Sequence, residues 1–156
     1  MKKRIAFFPH PICLAVILIA AGATSCEEPV AKEHAPYLDG TYTAALEPDS
    51  YQYVANATIT VTGAIITNVI YFEQQEGTGQ LKDENYYSRN YIFGSNEQYS
   101  DEWYNSAQYV VAAIRRYTEE LLDVQDPNKV SAISGASHSY RRFVEVTNEA
   151  LSGAQE

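Results

Sequence analysis

Cysteine is nearly absent from this chain of 156 residues, which contains only Cys13 and Cys26. Cys13 lies in an N-terminal apolar segment of the kind that is removed on export, so one cysteine would remain and no internal disulfide could form. Basic residues are also scarce, with 11 lysines and arginines against 20 acidic residues and a net charge of −9. This balance argues against a nucleic-acid partner, because phosphate binding requires a basic face.

The chain also lacks an apolar run of the roughly 20 residues that a membrane-spanning helix needs. Its longest run, residues 12–21, follows the basic start MKKR and is followed by small residues immediately before Cys26. This order is typical of a bacterial lipoprotein signal. We predict a signal peptide at residues 1–25, a lipidated (palmitate-bearing) Cys26 and a tether at residues 26–37. An ordinary cleaved signal peptide is the alternative.

The predicted lipid anchor would hold the protein at the cell membrane, facing the periplasm or the cell surface. The acidic character argues against adsorption to anionic lipid, so the anchor itself would provide the membrane attachment. Residues 38–156 have the length of one ordinary domain, which can bury a core without disulfides.

Strand patterns dominate the first half of this domain. A short strand follows Asp39-Gly40, and residues 51–62 alternate so that Tyr53, Ala55, Ala57, Ile59 and Val61 share one face. A Gly63-containing turn and a second strand at residues 65–72 complete a predicted β-hairpin. Apolar residues fall on both faces of that second strand, so we expect part of it to be covered on both sides.

The second half is predicted to be loops and helices. Residues 73–100 are expected to form long loops, with a short strand near residues 91–93. Ser100 is the expected N-cap of a helix that ends before Asp126-Pro127, and a last helix is expected from about Ser139. The predicted class is α+β, a small antiparallel sheet packed with two main helices.

The segment Ser134-Gly135-Ala136-Ser137-His138-Ser139 leads into the last predicted helix. Free N–H groups of a first helical turn and the helix dipole favour a phosphate there. His138, Arg141 and Arg142 would add nearby positive charge. The alternative interpretation is a capped helix with exposed arginines.

Three features together carry a family resemblance: the start Asp39-Gly40-Thr41-Tyr42, the strand–Gly–strand hairpin, and the stretch Val130-Ser131-Ala132-Ile133-Ser134-Gly135-Ala136-Ser137 before the last helix. In this order they resemble the FMN-binding domain family, in its exported lipoprotein type. The chain is especially similar to the treponemal lipoproteins called membrane immunogen A. The resemblance covers about residues 38–151.

The resemblance implies FMN as cofactor, bound by Ser134, Gly135, Ala136, Ser137, His138 and Ser139. It also implies electron transfer outside the cytoplasm, by a flavin carrier rather than a stand-alone enzyme, with a redox partner. In many family members the residue matching Ser137 receives FMN through a phosphodiester made by a separate flavin transferase. Ser131 stands where the family usually has an aspartate. Covalent FMN, noncovalent FMN, and a cofactor-free structural or surface interaction (antigenic) lipoprotein are therefore the alternatives.

An isoalloxazine ring needs flat apolar walls, and aromatic residues near the long loops can supply them. The candidates are Tyr86, Tyr87, Tyr91, Tyr99, Trp103, Tyr104 and Tyr109. No catalytic residue is predicted, because the adjacent Ser137 and His138 do not suit triad geometry. No metal site is predicted either, since His34 and His138 are the only histidines after the signal peptide.

Overall fold

A three-stranded antiparallel sheet forms the centre of the computed structural model, which describes residues 37–155. Its strands are β1 (Gly40–Ala45), β2 (Tyr53–Thr62) and β3 (Ile65–Gln75), and they lie in the order β1-β2-β3. The predicted inner face of β2 is confirmed, because every second residue from Tyr53 to Val61 is buried. The alternation follows from the two-residue period of a strand with one face on the core.

The turn between β2 and β3 confirms the predicted hairpin. Gly63 and Ala64 both have left-handed backbone angles, with φ of 63° and 62°, which is the geometry of the two-residue turns that suit strand twist. An alanine in this region costs about 1 kcal/mol. The Ala64 N–H donates to Asp39 Oδ1 at 3.0 Å, which ties the turn to the residue before β1 and offsets part of that cost.

Two helices cover one face of the sheet and complete the predicted α+β class. Helix α1 (Asp101–Val124) packs against β3, and α2 (Ser137–Ser152) packs against β1 and β2. A short 3-10 turn, Pro127–Lys129, follows α1. Helix α1 starts after Ser100 as predicted. The core between the layers includes Ile59, Tyr117, Leu121, Phe143 and Leu151.

The other face of the sheet is uncovered, which corrects one expectation. Ile70 is 51% exposed and Phe72 is 38% exposed on β3, while their neighbour Tyr71 is buried. Both faces of this strand are apolar, but the helices pack on one face only. The prediction that part of β3 is covered on both sides was therefore wrong.

Residues 76–100 connect β3 to α1 through turns, as predicted for most of residues 73–100. Residues 73–75, expected to be loop, instead extend β3, where they pair with residues 53–55 of β2. The short strand expected near residues 91–93 is absent from this described segment. The Gln80 side chain takes the place of a partner strand there. Its Oε1 accepts from the Ile92 N–H at 2.6 Å and its Nε2 donates to the Ile92 carbonyl at 3.1 Å. A side-chain amide thus satisfies the backbone groups that a strand would have paired.

The described chain begins inside the core. Tyr37, placed at the end of the predicted tether, is buried, and the Leu38 N–H donates to the Ala154 carbonyl at 2.8 Å. The predicted signal peptide, Cys26 and the rest of the tether lie outside the described residues. Neither α1 nor α2 has the length and apolar character required to cross a membrane.

Candidate functional site

A cavity of about 650 Å³ lies between the loop of residues 76–100 and the chain entering α2. This volume is in the range of small-molecule sites, roughly 300–1,000 Å³. Five tyrosines form much of its lining: Tyr51, Tyr53, Tyr86, Tyr87 and Tyr91. The cavity is therefore rich in flat aromatic surface.

The tyrosines support one another through ring contacts. Tyr87 and Tyr91 are stacked, with ring centroids 4.9 Å apart, and Tyr86 meets Tyr87 edge to face at 4.8 Å. The Tyr53 and Tyr91 hydroxyl oxygens are 2.7 Å apart. Burial raises the pKa of Tyr53 and of Tyr86 well above 10, and the hydrogen bond to Tyr91 adds to the shift at Tyr53. These two rings therefore remain neutral at physiological pH.

The segment predicted to hold phosphate lies partly in the cavity wall. Gly135, Ala136, His138 and Ser139 line the cavity, whereas Ser134 and Ser137 are solvent-exposed and do not. Helix α2 begins at Ser137, two residues before the predicted start, and its N-cap is Ala136, which provides no side-chain cap. The first-turn N–H groups are thus left without the side-chain oxygen that usually accepts from them.

Ser139 is the most informative residue of this segment. It is only 2% exposed and lines the cavity, yet its hydroxyl makes no hydrogen bond with any of residues 37–155. This hydroxyl lies at the cavity wall in the first turn of an uncapped helix, where it is free to donate to an anionic ligand.

His138 is fixed at the same cavity by Asp49, which lies 89 residues earlier in the chain. His138 Nε2 and Asp49 Oδ2 are 2.8 Å apart, and Asp49 Oδ1 accepts from the Tyr51 and Tyr53 N–H groups at 2.9 Å each. Burial alone would raise the pKa of Asp49, but these hydrogen bonds and the charge of Lys82 outweigh it and lower the pKa. The histidine is therefore positioned by an ionised carboxylate.

The two arginines expected to assist a phosphate lie elsewhere. Arg141 is exposed, and neither Arg141 nor Arg142 lines the cavity. Arg142 Nη2 donates instead to the backbone carbonyls of Glu47 at 2.8 Å and Tyr53 at 3.0 Å. That guanidinium holds the chain before β2 against α2, so it serves the fold.

Lys82 brings positive charge to the cavity wall, and sequence reasoning missed it. Its Nζ lies 2.5 Å from Glu73 Oε2, with side chains 7% and 0% exposed. The Tyr71 hydroxyl donates to Glu73 Oε1 at 2.9 Å, and the Lys82 Nζ lies 4.6 Å from the Tyr53 ring centroid. Burial, then the Glu73 carboxylate, raises the pKa of Tyr71. No pattern in the sequence pairs a loop lysine with the end of a strand.

The aromatic candidates divide into two groups. Tyr86, Tyr87 and Tyr91 line the cavity, while Tyr99, Tyr104 and Tyr109 do not. Trp103 lies in a neighbouring groove of about 350 Å³ that shares the Tyr86 and Tyr87 side chains. Tyr51 and Tyr53 were not among the candidates. Their position just before and at the start of β2 was the signal that could have identified them.

Ser131 stands where the resembled family usually has an aspartate, and a carboxylate approaches it from α1. The Ser131 N–H and hydroxyl both donate to Glu120 Oε1, at 3.1 and 2.8 Å. A negative charge is thus present beside position 131, although it comes from a residue 11 positions earlier in the sequence.

Comparison with known families identifies one match. The model of the FMN-binding domain matches residues 51–152, more than half of the chain, and the chain belongs to that family. The match covers β2, β3 and both helices, and β1 precedes it. Family membership supports FMN as the cofactor of this protein.

Two solved structures match this chain, and the first is similar in fold. A Clostridium perfringens protein known from a crystal structure has a TM-score of 0.55 and 20% identity, over 76% of this chain and 88% of its own. A Clostridium thermocellum protein solved by solution NMR has a TM-score of 0.46 and 23% identity, over 76% and 92%. No curated protein matches significantly.

The residues of the cavity fit FMN. Its tyrosine faces suit an isoalloxazine ring, and the uncapped start of α2, with the unpaired Ser139 hydroxyl, suits a phosphate. Within residues 37–155, no three His, Cys, Asp or Glu side chains are grouped to hold a metal ion.

Proposed function

We propose that this chain is a membrane-anchored, extracytoplasmic flavoprotein that carries electrons through FMN. The observation that carries the proposal is the single cavity in which tyrosine rings and the uncapped start of α2 are both exposed to a ligand. FMN bound there would supply one- and two-electron redox chemistry, and the protein would supply binding, orientation and electrostatics.

The phosphate would be held at the start of α2. The N–H groups of the first turn point away from the helix, and the helix dipole favours an anion at this end. The Ser139 hydroxyl provides a further donor, and Asp49 fixes the His138 ring beside it. The backbone that leads into α2 requires a glycine at position 135, because its φ of +85° lies in the left-handed region.

The ring would lie among the tyrosines, whose side chains would exclude water from its faces. Two polar side chains near them are each fixed in place by a carboxylate, Lys82 by Glu73 and His138 by Asp49. We propose an electron carrier rather than a stand-alone enzyme, since the redox chemistry would belong to FMN itself. A lipid on Cys26 and the following tether would hold the domain at the membrane, where it would meet its redox partner.

Ser137 is the proposed acceptor for covalent attachment. It is the first residue of α2, and its exposed hydroxyl is accessible to a separate transferase. The test is expression of the mature protein with and without a flavin transferase, followed by acid denaturation. Flavin that stays with the denatured chain, and is lost in Ser137→Ala but kept in Ser134→Ala, would establish the covalent form. Flavin released by acid in every variant would establish the noncovalent form.

The electron-carrier function requires that flavin bind at all. A colourless protein that also fails to bind added FMN would contradict it, and would favour the cofactor-free interaction protein.

The lipid anchor is tested separately, by metabolic labelling of the wild-type chain and of Cys26→Ser with a fatty acid. Label is expected only in the wild type.

A further inference from the structure

Lys82 has hydrogen-bonding capacity that the protein itself does not use. Its ammonium has three N–H donors, and only one acceptor, Glu73 Oε2, lies within hydrogen-bonding distance among residues 37–155. The remaining donors are near two aromatic faces, Tyr53 at 4.6 Å and Tyr86 at 5.9 Å from the ring centroids. The Lys82 side chain is only 7% exposed, and it lines the cavity.

A buried ion pair at this place is not explained by stability. Removing a carboxylate and an ammonium from water is costly, and well-packed apolar side chains of similar volume are often as stabilising. Glu73 is fully buried and is fixed from its other oxygen by the Tyr71 hydroxyl, so the carboxylate cannot turn away. The arrangement fixes an ammonium at the cavity with donors to spare.

We propose that Lys82 is the residue that recognises the carbonyl edge of the isoalloxazine ring, with Glu73 as the positioning residue that holds its ammonium in place. This inference rests on the proposed FMN function. One edge of the ring has two carbonyl oxygens and ring nitrogens, and the opposite edge has only methyl groups. An ammonium with free donors binds the first edge and gains nothing from the second. Lys82 therefore determines which edge of the ring enters this end of the cavity.

The same contact sets the redox potential. Electrons added to the ring increase the negative charge on its carbonyl edge, and a nearby cation favours that charge. The Glu73 carboxylate balances the charge of Lys82 in the cavity wall. Removing only this carboxylate should therefore let Lys82 stabilise the reduced flavin more strongly and raise the midpoint potential. The midpoint potential is expected to be highest in Glu73→Gln, intermediate in the wild type and lowest in Lys82→Met/Glu73→Gln.

The decisive experiment compares three probes on the mature protein: FMN, riboflavin, which lacks the phosphate, and lumiflavin, which has the ring alone. Fluorescence quenching gives the dissociation constant of each. The variant is Lys82→Met/Glu73→Gln, which removes both charges together so that neither is left buried and unpaired. The matched control is Arg115→Met/Glu84→Gln, which removes an exposed ion pair outside the cavity.

Loss of one charge-assisted hydrogen bond weakens binding by about tenfold or more. We expect this loss of affinity for all three probes in Lys82→Met/Glu73→Gln and unchanged binding in Arg115→Met/Glu84→Gln. Circular dichroism should show that both variants are folded. Equal binding of lumiflavin to the variant and the wild type would overturn the role of Lys82 while leaving the flavin function intact. Weakening of FMN alone would also overturn it, because Lys82 would then contact the phosphate. A wild type that binds none of the probes would overturn the flavin function together with this inference.

Discussion

Ser131 and Glu120 are joined by two hydrogen bonds to the same oxygen, Glu120 Oε1, one from the Ser131 N–H and one from its hydroxyl. The contact links the chain after the 3-10 turn to the sixth turn of α1. It also places a carboxylate beside the position where the resembled family usually has an aspartate. An aspartate at position 131 would therefore place a second negative charge next to the Glu120 carboxylate.

We predict that Ser131→Asp is destabilising. It replaces a hydrogen-bond donor with a like charge next to Glu120, and the expected loss is about 1 kcal/mol in the free energy of unfolding. Urea denaturation measures this loss, which should shrink at high salt as the repulsion is screened. Combining the change with Glu120→Gln should recover most of the loss. If the single variant matches the wild type at low salt, Glu120 does not approach this position.

The stability contributed by Asp49 should depend on pH. The folded-state pKa of this carboxyl lies below its ordinary value of 3.8, because its hydrogen bonds from Tyr53, His138 and Tyr51 outweigh the effect of burial. A depressed pKa adds stability above the unfolded-state value, and this stability is lost as pH falls through the folded-state pKa. The difference in unfolding free energy between the wild type and Asp49→Asn should be largest above about pH 5 and disappear at lower pH. Denaturation curves from acid to neutral pH test this, and a difference that stays constant over the range would contradict it.

Gly135 and Gly77 form a matched pair for testing the path into α2. Both have positive φ, +85° and +81°, so an alanine at either position should cost about 1 kcal/mol of stability. At Gly135 the added Cβ would also lie 3.2 Å from Tyr109 Cε1, whereas at Gly77 it meets no atom within 4 Å. Only Gly135→Ala should also weaken FMN binding, because Gly135 lines the cavity. Equal FMN affinity in the two variants would remove Gly135 from the binding site.

The Lys82–Glu73 pair should show strong coupling in unfolding experiments without ligand. Glu73→Gln leaves a buried ammonium without its counter-charge, and breaking a buried pair in this way costs about 3–5 kcal/mol. Lys82→Met/Glu73→Gln should lose much less, because no charge is left unpaired. A double-mutant cycle from urea denaturation gives the coupling energy. Additive losses from the two single changes would show that the pair does not act as a unit.

The local parts of the fold were predictable because their causes are local. Gly63 in a short turn between alternating strands predicts a hairpin, and Ser100 before two acidic residues predicts the start of α1. Which face of a strand is covered depends on where the helices pack, and so the exposure of Ile70 and Phe72 could not be predicted from apolar character. The Gln80 side chain pairs with the Ile92 backbone, where a strand had been expected near residues 91–93. This contact joins two parts of one loop that are 12 residues apart, so no local sequence pattern predicts it.

The candidate site divides in the same way. Residues 134–139 could be identified because a helix start is visible in the sequence, and four of the six line the cavity. Lys82, Glu73 and Asp49 could not be identified, since their roles come from partners that the fold brings close. Burial of charge leaves no periodic pattern, and an ion pair that joins a loop to a strand end has no fixed spacing.

The central claim is that one cavity holds the FMN phosphate at the start of α2 and its ring among the tyrosines. The most direct measurement is a titration of the mature protein with FMN and with riboflavin, followed by fluorescence quenching. We predict that both bind and that FMN binds at least about tenfold more tightly, since its phosphate gains charge-assisted hydrogen bonds at the helix start. Absence of FMN binding, or equal affinities for the two flavins, would contradict the account.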